Sequence, residues 1–367
     1  MSLSRRDLLT ASALLLAGPG FAMRAAGREA AAADGSPIIL CWNENPYGPS
    51  PAARVAVSEA IAASCRYPDD ELKPLVQMLA TREGVSTDSL VTGTGSGELL
   101  RALGMLHARD GGEIVAAEPT YTELTRYAEG CGAKIRFVAV DRQLRHDLSA
   151  MHAAVSARTR AVYLCNPNNP TGTTLPAADI RAFVAALPAS VTTIVDEAYM
   201  DFTVGPDVGS VVDLTRGERR VVVLRTFSKI HGMAGIRCGY AIARADLAKQ
   251  LAAACMTTPN VFAVRAARAS LGDQAFLADC RRRILASRVR ITTELARLKL
   301  PYAEPQGNFV FFDTGMPLER FTGLMRARNI LVGRRFAPFD NWCRITIGTE
   351  TEVDAFLAAL PAVTGRA

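Results

Sequence analysis

Apolar residues in this chain fall into short unbroken runs separated by stretches with a helical rhythm. Ile114–Ala116, Lys134–Val140, Ala161–Cys165, Thr192–Val195 and Val221–Leu224 predict strands, and most of them end in a cluster of Asn, Asp, Pro, Gly or Thr. Between them the spacing changes. Leu72, Leu75, Val76 and Leu79 share one helix face, and Leu99, Ala102, Leu103 and Leu106 recur at i, i+3, i+4 and i+7, so a helix starts close to Gly97. Pro51–Ala63 and Asp179–Leu187 are helical in composition, and Pro37–Leu40 is a short strand-like run where folded sequence begins. Strands alternating with helices predict an α/β fold with a mainly parallel sheet. Ligands collect beyond the carboxyl ends of such strands. Tyr121, Asn169, Asp196, Tyr199 and Lys229 all fall there.

Past about Ala254 the rhythm differs. One long Arg-rich helix is expected to about Leu300, then strands at Asn308–Phe312, Ile330–Val332 and Arg344–Ile347, and a last helix over Glu352–Leu360. The expected organisation is a large domain over 71–255 and a smaller α+β domain over 256–367, with 37–70 packing beside the latter. No internal repeat interrupts this plan.

Composition narrows the classes of function. Of 367 residues, 49% are hydrophobic and 21% charged, an ordinary globular balance. The net charge of +6 is modest for this length, and no aromatic-interleaved basic stripe accompanies it, so nucleic acid is not an expected partner. Arg281-Arg282-Arg283 reads as a solvated helix face. The eight cysteines form no Cys-x-x-Cys and read as small buried hydrophobes, and the four histidines lack metal spacing. A metal site is not expected.

Residues 1–33 read as an address. Ser4-Arg5-Arg6-Asp7-Leu8-Leu9, followed by the moderately apolar Thr10–Ala17, resembles a twin-arginine export signal, with Ala31-Ala32-Ala33 one candidate cleavage region. The uncharged run Leu8–Met23 falls short of the roughly 20 apolar residues that span a bilayer, so no stable membrane span is expected. This predicts an exported or periplasmic protein; a chance Arg-Arg pair in a disordered tail would leave it cytoplasmic.

The chemistry centres on Arg225-Thr226-Phe227-Ser228-Lys229. A lysine at the end of a buried strand can be held dry, which with a nearby cation such as Arg237 lowers its pKa and makes the amine a nucleophile toward carbonyls. Taken alone, Lys229 reads equally as a solvated turn lysine, and Asp196 as a helix cap or loop acid. Thr94-Gly95-Ser96-Gly97-Glu98 is a glycine turn feeding a helix start, which suits a phosphate, although a structural turn reads the same way. It is not a dinucleotide fingerprint, because Glu98 stands where the third glycine belongs, nor a hydrolase elbow, because Thr94 and Glu98 replace its glycines.

Taken together these pieces resemble the fold-type I pyridoxal-phosphate aminotransferases of class I/II, closest to the histidinol-phosphate aminotransferase branch. The matching stretches are Asn43-Glu44-Asn45-Pro46-Tyr47-Gly48, Arg66-Tyr67-Pro68-Asp69, Gly95-Ser96-Gly97-Glu98, Pro119-Thr120-Tyr121, Asn169-Pro170-Thr171-Gly172, Asp196-Glu197-Ala198-Tyr199, Thr226-Phe227-Ser228-Lys229 with Gly235-Ile236-Arg237, and Arg344-Ile345-Thr346-Ile347-Gly348. They stand in family order over about 37–360. The resemblance implies pyridoxal 5'-phosphate as cofactor, amino acids and 2-oxo acids as substrates, and a homodimer. It implies that Lys229 links to the cofactor and moves the proton, and that Asp196 pairs with the pyridine nitrogen. Asn169 and Tyr199 would meet the ring 3-oxygen, and Tyr121 would stack on the ring. Ser96, Gly97, Thr226, Ser228 and Arg237 would hold the phosphate, with Tyr67 reaching it from the neighbouring subunit. Arg344 would bind the substrate carboxylate, with Tyr47 and Asn308 lining the substrate side.

Two features set the chain apart from that branch: the export-like leader, and Gly333-Arg334-Arg335-Phe336, where Arg334 or Arg335 could meet an acidic substrate or merely cover the surface. An aromatic or broad-specificity aminotransferase fits as well as one for histidinol phosphate. The same scaffold and lysine also support a lyase or decarboxylase.

Overall fold

The computed structural model of the protein describes residues 35–366; the segment read as an export signal lies outside them. A seven-stranded sheet forms the centre. It contains β2 (Leu90–Gly93), β3 (Glu113–Glu118), β4 (Lys134–Ala139), β5 (Thr159–Cys165), β6 (Thr192–Asp196), β7 (Val221–Thr226) and β8 (Gly239–Ala243), in the spatial order β2-β8-β7-β6-β5-β3-β4. Neighbours from β7 to β4 are parallel, whereas β8 pairs antiparallel with both β2 and β7. The α/β fold with a mainly parallel sheet is as the sequence predicts.

The apolar runs form strands because both of their faces are covered. Side chains alternate along a strand, so Val115, Val162, Val195 and Val223 enter one buried cluster while Ile114, Tyr163, Ile194 and Leu224 enter another. Each such side chain contributes about 1.5–3 kcal/mol through burial. A charge at Val223 would be enough to open the sheet at its middle. The covering helices include α1 (Pro51–Ala60), α2 (Asp69–Glu83), α3 (Ser96–Ala108), α4 (Glu123–Gly130), α5 (Leu148–Ala153), α6 (Ala177–Ala186), α7 (Ala245–Ala254) and α8 (Val261–Gly272). Their ends are chemically marked. Ser50 accepts from the Ala53 N–H ahead of α1, with Pro51 in the first turn, and Gly84 ends α2 with φ +63°.

The expected single long helix after Ala254 is two: α8 ends at Gly272, and Asp273 accepts from the Phe276 N–H to start α9 (Gln274–Arg297) afresh. The Arg281–Arg283 run is likewise not a free solvated face. Arg281 donates to the carbonyls of Asp201 and Thr203, and Arg283 forks onto Glu350; Arg282 alone stays outside, pairing with Asp279.

Helix α9 packs with β9 (Phe309–Asp313), α10 (Leu318–Arg326), β11 (Trp342–Thr346) and α11 (Glu350–Thr364) around a further core. There β9 and β11 are antiparallel, and β1 (Ile38–Leu40) lies parallel to β10 (Ile330–Val332). Thr349 and Glu352 form a reciprocal capping box at the start of α11. This core also takes in Tyr199, Phe202 and Ile230 from the loops after β6 and β7. That contact brings β11 and the 41–45 segment over the carboxyl ends of the central strands.

Candidate active site

In the β6–β7 ladder Asp196 pairs with Leu224, so Asp196 ends one strand beside the Thr226–Lys229 turn that ends the next. A cavity of about 290 Å³ opens there. Its walls include Ser96, Gly97, Tyr121, Asn169, Asp196, Tyr199, Thr226, Ser228, Lys229, Arg237 and Arg344, which the sequence reading singled out from widely separated stretches.

Lys229 Nζ donates to the Asn43 carbonyl at 2.9 Å and lies 5.5 Å from the Tyr199 ring centre. Burial lowers its pKa to about 8, helped by the Arg344 cation and, to a lesser degree, by Arg237. The assisting cation is thus chiefly Arg344, not Arg237 as the sequence suggested. Asp196 Oδ1 accepts from the Ala198 N–H at 3.1 Å and Oδ2 from the Tyr163 hydroxyl at 3.3 Å. Burial raises this carboxyl to about 6, against the pull of those two donors and of Lys229.

A chain of polar contacts links the cavity wall. Tyr199 Oη accepts from Asn43 Nδ2 at 3.1 Å and from Asn169 Nδ2 at 3.3 Å. Asn169 Oδ1 accepts from Arg344 Nη1 at 2.6 Å, and Arg344 Nη2 donates to the Cys41 carbonyl at 2.8 Å. Arg344 Nε is buried with no partner in the protein. A buried guanidinium with an unused donor points to an anion from outside the chain. Asn43 takes φ +54°, a conformation asparagine tolerates.

The other end of the cavity is shaped for a phosphate. Gly95 (φ +81°) caps α3, so the Ser96 and Gly97 N–H groups of its first turn have no acceptor in the helix. Arg237 Nη1 contacts Ser228 Oγ at 3.4 Å and donates to the Ala234 carbonyl at 2.9 Å. Two glycines make this closeness possible. A Cβ on Gly95 would stand 2.3 Å from Arg237 Nη2, and one on Gly239 would stand 2.4 Å from the Ser96 nitrogen. Free helix N–H groups, hydroxyls and a guanidinium around one pocket, with a buried carboxylate and a half-buried amine beyond, are the set of groups that pyridoxal 5'-phosphate requires.

Three expected residues are not on this wall. Tyr47 donates to Glu350 at 3.0 Å beneath the Arg283 guanidinium, 3.9 Å from its ring centre. Asn308 Nδ2 donates to the carbonyls of Asn43 and Glu44, both at 3.2 Å, so it sets the backbone that receives Lys229 and does not itself face the cavity. Tyr67 is 93% exposed on its own chain. The paired question about Arg334 and Arg335 separates cleanly: Arg334 lines the cavity, 4.7 Å from the Phe336 ring centre, while Arg335 pairs with Asp340 outside it. Sequence reasoning missed Trp42 and Phe336 on the wall and the junction role of Asn43. For Asn43 the signal was present, since it opens a quoted motif. Among the described residues no group of three His, Cys, Asp or Glu side chains could hold a metal ion, and no helix is long and apolar enough to cross a membrane.

The aminotransferase class I and II family matches residues 36–360. A histidinol-phosphate aminotransferase of Moorella thermoacetica is 36% identical over 328 residues, covering 88% of this chain and 84% of that one. An aromatic amino acid aminotransferase of Rhodococcus jostii is 37% identical over 323 residues, 88% of each. Among solved structures, histidinol-phosphate aminotransferase from Sinorhizobium meliloti in complex with pyridoxal-5'-phosphate superposes with a TM-score of 0.84 at 28% identity, over 96% of both chains.

Proposed function

The chain belongs to the class I and II aminotransferase family and is a pyridoxal-phosphate-dependent aminotransferase; from that premise we propose how its residues divide the work and which donors it takes. The observation that carries this reading is the pairing of a half-buried amine, Lys229, with a buried acid, Asp196, in one cavity that Arg344 also lines. When bound, pyridoxal 5'-phosphate supplies an aldehyde for amines and a ring that accepts the electron pair left when the α-proton departs. Lys229 Nζ, with its pKa near neutrality, takes that proton from the substrate α-carbon and later releases it. Asp196, ionised at pH 7, holds a proton at the pyridine nitrogen. Asn169 and Tyr199 would hydrogen-bond the ring 3-oxygen, and Tyr121 would cover the ring face. Ser96, Gly97, Thr226, Ser228 and Arg237 hold the phosphate. Arg344 takes the carboxylate of an amino acid or 2-oxo acid through its planar fork, which suits a ping-pong exchange between the two.

The side-chain end of the cavity is aromatic and cationic, with Trp42, Phe336 and Arg334 together. We read the donor as an amine bearing an aromatic or imidazole ring; in histidinol phosphate, which has no α-carboxylate, the phosphate takes the carboxylate's place near Arg344 and Arg334, which both lie against Phe336. The names of the relatives are consistent with both. The test is a single donor added without acceptor, followed by absorbance. One stoichiometric conversion that then stops, and is reversed by a 2-oxo acid, is expected; continued turnover without an acceptor would mean a lyase or decarboxylase instead. A donor panel then ranks phenylalanine, tyrosine and histidinol phosphate.

Three further readings belong to the same proposal. The chain divides into the large unit over 71–255 and the smaller one over 256–367, with 37–70 beside the latter. It works as a homodimer in which the partner's Tyr67 reaches the phosphate; the exposure of Tyr67 and a second cavity of about 540 Å³ that shares Gly97, Tyr121 and Arg237 with the site support this. Residues 1–33 direct export through the twin-arginine route, supported by Arg5-Arg6 and the following apolar stretch. Light scattering of the purified protein tests the dimer. Cell fractionation with Arg5 and Arg6 replaced by Lys tests the export.

A further inference from the structure

Glu98 lies in the first turn of α3, beside the glycine turn but not on the wall of the 290 Å³ cavity. Its carboxylate turns back on the chain. Oε2 accepts from both the N–H and the hydroxyl of Thr94, each at 2.7 Å. Oε1 accepts from the N–H groups of Met256 and Thr257, each at 3.0 Å. One side chain therefore joins its own turn, whose N–H groups face the cavity, to the exposed linker between α7 and α8, which begins to contact it 158 residues further on at Met256. Burial pushes the Glu98 carboxyl up, but the hydrogen bonds from Thr94, Thr257 and Met256 outweigh it and hold it below the usual range.

An acid here is unexpected on charge alone, because a carboxylate near a phosphate pocket repels the phosphate. Thr94 immediately precedes Gly95, whose φ of +81° directs the Ser96 and Gly97 N–H groups at the cavity. Holding Thr94 at both its nitrogen and its hydroxyl fixes that turn. The linker supplies a second anchor from across the larger cavity, whose wall includes Thr94, Glu98, Met256 and Thr257. We infer that Glu98 is a positioning residue for the cofactor phosphate, a clip that keeps the 94–97 turn in its anion-binding shape by tying it to the 256–257 linker. This rests on reading that turn as the phosphate cradle. Glutamine cannot replace it, because one amide –NH₂ would face two donors wherever the oxygen is placed.

Titration of cofactor-free protein with pyridoxal 5'-phosphate and with pyridoxal, which lacks the phosphate, tests the clip. Glu98→Gln is expected to weaken pyridoxal phosphate binding by about tenfold or more while pyridoxal affinity stays within about twofold. Thr94→Val, which removes only the hydroxyl donor, is expected to weaken it by roughly threefold, again for the phosphorylated ligand alone. The second variant decides the matter should Glu98→Gln not fold. The inference is overturned if the variants bind pyridoxal phosphate as tightly as wild type or more tightly, in which case charge repulsion outweighs geometry. It is overturned equally if they lose both ligands alike, which is general damage. A wild type that prefers neither ligand removes the cradle reading and the clip with it.

Discussion

Replacing Asp196 with Asn should stabilise the cofactor-free protein while impairing its use of the cofactor. The folded chain holds this carboxyl at about 6 because it is buried at the end of β6. In the unfolded chain it titrates near 3.9. A folded-state value above the unfolded one means that the acid costs nothing below about pH 4, and that stability falls as pH rises through about 6. The difference of about two units is worth about 3 kcal/mol, reached on a plateau above pH 6. Asn keeps an oxygen for the Ala198 N–H and can pair with the Tyr163 hydroxyl, so removing the charge is the main change. Denaturant unfolding of both cofactor-free proteins between pH 4 and 8 should show curves that coincide at the acid end and diverge toward neutrality, with the variant above. Adding cofactor should reverse the order, since ligand binding stabilises the form that binds it. A gap that does not change with pH, or a wild type that is the more stable at pH 8 without cofactor, would refute the reasoning.

Lys229→Met should abolish transamination and leave the fold intact. Because burial depresses the amine to about 8 from about 10.4, the variant should be the more stable cofactor-free protein below pH 8, by about 3 kcal/mol, the gap closing as pH rises through 8 to 10. Borohydride should fix the cofactor to wild type and not to this variant, as mass spectrometry of the 229 peptide would show. Arg344→Lys should raise KM for 2-oxo acids by about a hundredfold, because a point charge cannot replace the fork that binds both Asn169 and an incoming carboxylate. Unchanged kinetics would place the carboxylate elsewhere. Arg334→Ala should raise KM for phosphorylated or acidic donors by about tenfold and leave phenylalanine nearly unaffected; an equal effect on all donors would mean that Arg334 only supports Phe336.

The strands and their functional ends were legible because they come from local patterns. Val221–Leu224 is an unbroken apolar run and Thr192–Val195 is rich in β-branched residues, patterns that fit buried strands, and the alternation with helices then places their ends on one edge of the sheet. Strand β8 was not seen, since Gly239–Ala243 follows β7 without a helix between them and so breaks the alternation. The helix break at Gly272–Asp273 was hidden by a composition that is helical on both sides. Remote partners were the least legible. Nothing near Lys229 announces that its amine will meet the carbonyl of Asn43, or that Asn308 will hold that same carbonyl. Arg334 and Arg335 are chemically identical neighbours, and only the packing of Phe336 and Asp340 around them sends one inward and the other out. Tyr47 is read as a substrate contact because its motif is taken as a unit; what the sequence does not announce is its hydrogen bond to Glu350 beneath Arg283.

Those remote contacts explain why the polar groups of this cavity can be buried at all. Asp196 is pushed toward its neutral form and Lys229 toward its own, while Arg344 keeps one donor unused. Each is a state that a folded chain would ordinarily avoid, costing on the order of 1–3 kcal/mol apiece. Phe309, Phe312, Ile345 and Tyr199 belong to one buried core beside them. In the roles proposed above, a ring nitrogen beside Asp196, an aldehyde beside Lys229 and a carboxylate at Arg344 would each relieve one of these strains. The free energy withheld from folding is thereby returned on binding. Cofactor-free protein should accordingly be stabilised by a neutral substitution of similar shape at Asp196 or Lys229, whereas Asn308→Ala should destabilise it by about 1–3 kcal/mol because the Asn43 and Glu44 carbonyls each lose one hydrogen bond. An Asn308→Ala protein that is as stable as wild type would show that the 43–44 backbone is held by other means.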